Sequence, residues 1–464
     1  MAPNSKKARE AEMLEVLAKA GIFTPETLSQ TLDESSRLST EQNVDAASQE
    51  MLERLEQEGI YSLEALDDIL EGRGHDGEEL SAFDPTAELV ALFQREVEAE
   101  MVEPAILLPA DLFLDTAGED IRRRLFLTQD VEGRELCLRP DFTIPICRHY
   151  LEHGEAGREA ALGYFGPVFR QRTGESAEFL QAGIELFGND DRAAADADVL
   201  ALAHEAANLF AVDAPQVKIG DEGLFLALLD GLGLAQPLRR RLRGLFGTPE
   251  RLLATIRRLA SGEGDAEALR HAGILSALAG SRPDEARNLV EDLLGLAGIA
   301  TVGGRSAHEI AERFLERAAL AADGGMTAEA GDILTRYLAI TCSPEHAVDA
   351  LDAFQAQVKI DMTAAIDLFA RRNDAFRDCG IELDRPVFRA DFGRNLDYYT
   401  GFVFEMRDAD RGLLGGDKPV IGGGRYDGLI ERLGSPRPVA ACGFSMWLDR
   451  LGLTGYGQEL GERG

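Results

Sequence analysis

Apolar positions along this chain change period several times, and the changes divide it into four stretches. In residues 1–80 they fall at helical spacing and then repeat. Met13-Leu-Glu-Val-Leu, followed by Gly21-Ile-Phe-Thr-Pro-Glu-Thr-Leu, matches Met51-Leu-Glu-Arg-Leu, followed by Gly59-Ile-Tyr-Ser-Leu-Glu-Ala-Leu, at an offset of 38 residues. Each copy reads as a helix closed by Gly, then Thr24 or Ser62 capping a second helix. The pattern predicts a duplicated helical hairpin. A Gly- and charge-rich tract over residues 71–79 then reads as a linker.

Residues 81–235 change character. Helical spacing runs from Pro85 to about Glu100, followed by an extended, proline-containing run from Val102 to Pro109 that suits an edge or interface strand. Short strands are predicted at Leu136–Leu138, Ala161–Phe169, Ala182–Phe187 and Gln216–Gly220, with an alanine-rich helix over 191–210. Residues 236–384 are mostly helical by pattern and read as an insertion. Strand periodicity returns in 385–464, at Val387–Asp391, Val403–Met406 and Ala440–Phe444. Strands parted by insertions, without regular βαβ alternation, predict an α+β fold around an antiparallel sheet.

Composition adds two constraints. The 464 residues carry 48 Lys and Arg against 82 Asp and Glu, a formal charge of −34. Broad, non-specific contact with a phosphate backbone needs the opposite balance. The five cysteines are scattered and form no CxxC pair, which suits a reducing compartment and no disulfide frame. No run reaches ~18 apolar residues, so the expectation is a cytoplasmic chain without membrane spans. His149 and His153 lie four apart on a helix but lack a third ligand at metal-site spacing, so no metal and no cofactor are expected.

Three segments hold the candidate chemistry. The first is Leu138-Arg-Pro-Asp-Phe-Thr143, with Gly166-Pro-Val-Phe-Arg170 and Phe179-Leu-Gln-Ala-Gly-Ile-Glu185. The second is Arg394-Asn-Leu-Asp-Tyr-Tyr-Thr-Gly401. The third is Gly422-Gly-Gly-Arg-Tyr-Asp-Gly-Leu429, closed by Gly443-Phe-Ser-Met-Trp-Leu-Asp-Arg450. Singly, each has a plain structural explanation. The Gly run is a tight turn lacking the Lys-Ser/Thr of a phosphate loop, and a Tyr pair in a strand is ordinary packing. Their order and spacing together are far more specific.

Together they resemble the catalytic core of histidyl-tRNA synthetase, a class II aminoacyl-tRNA synthetase, over roughly residues 83–453 less the insertion. The resemblance implies a six-stranded antiparallel sheet flanked by helices, and a dimer. It implies that Asp141, Thr143 and Gln181 face the ammonium of bound histidine. Glu185 and Tyr399 would hold the imidazole nitrogens, Arg394 the carboxylate, and Tyr426 would wall the pocket. The chemistry is coherent, since a zwitterion needs acceptors at one end and a forked cation at the other. At position 141 the family usually carries Glu, one methylene longer.

The departures cluster on the side where the synthetases hold ATP. The loop Gln171-Arg-Thr-Gly-Glu-Ser-Ala-Glu178 has Ala177 where a second Arg is expected, and Trp447 replaces the Gly lining the adenine slot. Arg170 and Arg450 are kept. The chain ends at Gly464, where the anticodon-binding domain of histidyl enzymes would follow. Residues 109–120, 136–145 and 218–225 further resemble the ATP phosphoribosyltransferase regulatory subunit family. That resemblance implies a non-catalytic subunit for histidine feedback, joined to a short-form catalytic subunit in a hetero-octamer and independent of tRNA. The alternative is a diverged amino-acid-activating ligase. A third reading, an RNA-sensing module, is opposed by the net charge.

Overall fold

The computed structural model describes residues 84–114, 116, 121–154, 156–261, 326–394, 396, 398–408 and 418–453, with a few positions between 288 and 306. The chain divides into units 1–83 and 84–464, and only the second is described. The duplicated hairpin predicted for residues 1–80 lies outside the described residues.

The second unit opens with helix α1 (Pro85–Val97). Asp84 caps it by accepting from the Thr86 amide at 2.9 Å, and Glu98 ends it in a left-handed conformation. Strand β1 (Glu100–Met101) precedes the predicted extended run, and β2 (Leu107–Pro109) occupies its end. A short helix α2 (Asp111–Leu114), β3 (Leu127–Gln129) and β4 (Glu135–Leu138) follow. Then come α3 (Thr143–His153), β5 (Ala160–Phe169), β6 (Glu178–Phe187), α4 (Arg192–Asn208) and β7 (Gln216–Asp221). Helices α5 (Glu222–Gly231), α6 (Gln236–Arg243) and α7 (Pro249–Ala260) precede a small hairpin, β8 (Thr301–Val302) and β9 (Arg305–Ser306). After it lie α8 (Ala328–Leu338), β10 (Thr341–Cys342), α9 (Pro344–Val358) and α10 (Thr363–Asp378). The chain returns through β11 (Val387–Arg389), β12 (Phe402–Arg407), β13 (Ile421–Arg425), α11 (Asp427–Arg432) and β14 (Ala441–Trp447).

The main sheet runs β1-β5-β6-β14-β13-β12-β7-β11-β10. Among the described residues it has nine strands and is mixed, which corrects the expected six-stranded antiparallel sheet. The β1–β5 and β7–β11 pairs are parallel, while the strands from β5 across to β7 pair antiparallel in succession. Of the added strands, β1 and β10 are two residues long, too short for alternation to reveal them, whereas β11 falls within the predicted Val387–Asp391. One of them, β10, arises within the stretch that reads as helical.

Strand alternation decides which side chains reach the site. On β6, Ala182 and Ile184 enter the core beneath α4, while Gln181, Glu185 and Phe187 turn to the opposite face. On β14, Cys442, Phe444 and Met446 face α4, and Ser445 and Trp447 face away. Helix α4 is alanine-rich and buried along most of its length, which lets it lie close on β13 and β14. No helix among the described residues is long and apolar enough to cross a membrane.

Candidate functional site

The far face of the sheet gathers the three motif segments. Glu185 is 1% exposed and sits at the centre. The Tyr426 hydroxyl donates to its Oε2, and Tyr164 donates to its Oε1 at 3.3 Å. Burial pushes the Glu185 carboxyl up to about 8. Hydrogen bonds from Tyr426, Thr143 and Tyr164 oppose the rise, and the nearby Asp141 charge adds to it. This is the behaviour of a desolvated acid whose neutral form is favoured.

Asp141 lies at the entry to α3 and is 5% exposed. Its Oδ1 accepts weakly from the Ile144 amide at 3.4 Å, while its Oδ2 is buried with no partner among the described residues. Burial raises its pKa, and the Arg170 guanidinium works against the rise. Gln181, two residues before Gly183 and four before Glu185, is 1% exposed and likewise has a buried Oε1 without a partner. Such atoms are rare in folded proteins and ask for an explanation.

Arg394 approaches from the loop before β12. Its Nη1 donates to the Phe404 carbonyl at 3.3 Å, and its buried Nε has no partner among the described residues. Its guanidinium stands 5.8 Å from the Tyr399 ring and 5.5 Å from the Trp447 ring. Tyr399 is 7% exposed, and its ring lies 6.4 Å from Tyr426 in an edge-on arrangement. Its pKa is raised by burial, with Arg394 lowering it and Glu185 and Asp141 raising it. One ring therefore feels all three charged candidates.

Two glycines make these placements feasible. A Cβ on Gly443 would overlap Glu185 Oε2 and the Ile184 carbonyl, and one on Gly422 would overlap the Arg394 guanidinium. The Gly-rich segment of β13 thus serves close approach of side chains rather than a phosphate loop.

Sequence reasoning missed Tyr164. It faces Gly183 across β5 and β6 and stacks on Phe142 at 4.6 Å, and it shares a 2.7 Å hydrogen bond with Ser445. The available signal was its place opposite a strand glycine, visible only once the register is known.

Beside this cluster opens a cleft of about 1020 Å³. Trp447 forms part of its wall, with the Arg450 guanidinium 5.0 Å from the indole. The loop over residues 171–178 forms another part. There Ala177 presents a small side chain, and its carbonyl accepts from the Arg170 amide at 2.9 Å. Glu175 on the same loop pairs with Lys418 at 3.1 Å, Arg450 at 3.4 Å and Arg172 at 3.7 Å. The cleft is more cationic than its loop suggests. Among the described residues, ten Arg and Lys line it against four carboxylates. They come from segments far apart in sequence, including Arg123, Lys218 and Arg389. Half-buried Arg170, near enough to feel the Asp141 charge, has its pKa lowered to about 10 by desolvation.

A family model described as histidyl-tRNA synthetase matches residues 87–312 and 288–451. The ATP phosphoribosyltransferase regulatory subunits of Brucella ovis and Brucella canis are each 42% identical over 355 residues, spanning 76% of this chain and 93% of the relative. Among solved structures, an ATP phosphoribosyltransferase regulatory subunit/histidyl-tRNA synthetase from Bacillus halodurans superposes with a TM-score of 0.51. It is 21% identical and covers 82% of this chain and 81% of its own. A histidyl-tRNA synthetase from a Nostoc species gives 0.50 at 16% identity, covering 82% of this chain and 75% of its own. At these identities the superpositions speak for the fold alone.

Proposed function

The chain belongs to the ATP phosphoribosyltransferase regulatory subunit family, and from that premise we propose that it binds free L-histidine and passes the signal to a separate catalytic subunit. Its role is regulatory, in histidine biosynthesis. The observation that carries the histidine reading is the set of buried polar atoms without partners. Asp141 Oδ2 and Gln181 Oε1 are acceptors fit for an ammonium, and Arg394 Nε is a donor fit for a carboxylate. With Thr143 beside the acceptors, Glu185 and Tyr399 would take the imidazole and Tyr426 would wall it.

The subunit itself performs no chemistry on this reading. Glu175 supplies, from within the chain, the negative charge that Lys418 and Arg450 would otherwise take from a triphosphate, and Arg172 is paired with Asp449 at 2.8 Å. Trp447 and Ala177 add bulk where a base would stack and remove a cation where phosphates would sit. Regulation requires only that histidine bind two states of the assembly unequally. The assembly we infer pairs this chain, as a homodimer, with short-form catalytic subunits in a cytoplasmic hetero-octamer, without tRNA.

A second reading, an amino-acid-activating ligase, is favoured by one observation, the excess of cations around the cleft. Two measurements on the isolated chain separate the readings. Titration with L-histidine, followed by the fluorescence of its single tryptophan, should saturate, and ATP–pyrophosphate exchange should stay at background. Histidine-dependent exchange would establish the ligase instead.

A further inference from the structure

On the opposite face of the sheet, beneath α4, two arginines and three aspartates are buried together. Arg372, on α10 and 1% exposed, donates from Nε to Asp196 Oδ2 and from Nη1 to Asp221 Oδ2, both at 2.7 Å. Arg425, at the end of β13, donates to the other oxygen of Asp196 at 2.9 Å and to Asp427 at 2.8 Å. Arg192 reaches Asp427 at 3.2 Å and brings the group to neutrality. Burying such ions is expensive, and apolar residues of like volume would often hold a core as well. Stability alone is therefore a poor account of the network.

Its arms end at the pocket. Strand alternation sends Arg425 under α4, while the next residue, Tyr426, turns to Glu185 on the other face. The Arg425 carbonyl accepts from the Thr400 amide at 2.9 Å, and Thr400 directly follows Tyr399. The Thr400 hydroxyl in turn accepts from the Asp427 amide at 3.2 Å. On the other arm, Asp221 caps α5 by accepting from the Gly223 amide at 2.7 Å, and the adjacent Glu222 amide donates to the Gly401 carbonyl at 3.0 Å. The Arg372 guanidinium also lies 5.1 Å from the Phe402 ring. The turn carrying Tyr399 thus hangs on two hydrogen-bonded arms that meet at Arg372.

We propose that Arg372 is a positioning residue for the amino-acid pocket, tying helix α10 through Asp196 and Asp221 to the Tyr399 turn and to Tyr426. Ligand in the pocket and the placement of α10 are then coupled, through a continuous chain of buried ion pairs and backbone hydrogen bonds. This rests on the histidine reading above.

The test compares Arg372→Met, Arg372→Lys and a control core truncation on α7, Leu252→Ala, in the full chain. L-Histidine affinity is measured by calorimetry, Tm by scanning, and amide exchange of residues 363–378 with and without L-histidine. The expected result is at least a tenfold loss of affinity in Arg372→Met, partial rescue by Lys, and little loss in the control at a comparable fall in Tm. Saturating L-histidine should slow exchange of 363–378 in the wild type and not in Arg372→Met. Should Arg372→Met not fold, Asp221→Asn replaces it, with a loss of about threefold and weaker protection expected. Equal affinities in the arginine variant and the control, or no protection of 363–378 in a wild type that binds L-histidine, would overturn the coupling alone. A wild type that does not bind L-histidine would overturn the histidine reading and the coupling with it.

Discussion

Tyr426 and Glu185, 241 residues apart, meet through a hydrogen bond from the tyrosine hydroxyl to the buried carboxyl. The contact joins the Gly-rich third motif to the strand of the first, and it gives the pocket its titratable centre. Because Glu185 keeps its proton up to about 8 in the folded chain, against 4.5 for an ordinary glutamate, its linkage has a definite sign. Between those values the unfolded chain releases a proton that the native one retains. Stability from this group is full below pH 4.5 and is lost as pH rises towards 8. Tm measured across pH 4.5 to 8.5 should show a falling component, and Glu185→Gln should flatten it. An unchanged slope in the variant would show that Glu185 titrates normally.

Truncating the same residue tests its part in binding. Glu185→Ala should weaken L-histidine binding by about 1–3 kcal/mol, the range for losing a hydrogen bond to a buried polar or charged group. Calorimetry at a pH where the variant is fully folded makes the comparison. Wild-type affinity in the variant would remove Glu185 from the site.

Tyr164→Phe leaves ring packing on Phe142 intact and deletes the hydroxyl that touches Glu185, Ser445 and the Phe444 carbonyl. Loss of stability should be about 1 kcal/mol by urea unfolding, with the midpoint lowered and the slope kept. A variant as stable as the wild type would mean that the hydroxyl contributes nothing net.

The two strand glycines should behave differently. Gly422→Ala meets the far end of a flexible side chain, so the chain should fold with little loss of Tm while Arg394 is displaced and L-histidine affinity falls about tenfold. Gly443→Ala meets the Ile184 carbonyl as well as Glu185, so Tm should fall clearly. The reverse ranking in Tm would contradict the packing described here.

Glu175→Gln should release Lys418 and Arg450 from their shared internal partner, while Arg172 stays paired with Asp449 at 2.8 Å. Inorganic triphosphate should then bind several-fold more tightly than to the wild type, and the gain should shrink as salt is raised. Equal binding by both proteins would show that Glu175 does not compete for those cations.

How much of this was legible in the sequence depends on whether the information is local. Gln181 and Glu185 were picked out by the resemblance, while their common face became clear only with the strand Glu178–Phe187, because the predicted strand began at Ala182. Arg394 and Tyr399 could be picked out from their motif, although their distance from Glu185 could not. Tyr164 escaped because its importance lies in the register of β5 against β6. Arg372 sits in a segment that reads as featureless helix, and only the tertiary fold brings it to Asp196 and Asp221. The cation excess of the cleft was hidden in a chain of net negative charge, since Arg123, Lys218, Arg389 and Lys418 come from separate segments. The sheet was misjudged for a related reason: two-residue strands such as β1 and β10 are made by their neighbours rather than by their own pattern.

The most direct test of the account is to add this chain to a short-form ATP phosphoribosyltransferase catalytic subunit and follow association and turnover with and without L-histidine. A complex is expected, with raised turnover in it and a fall on adding L-histidine that Arg394→Ala in this chain abolishes. Absence of both association and activation, together with L-histidine-dependent ATP–pyrophosphate exchange by the chain alone, would contradict it.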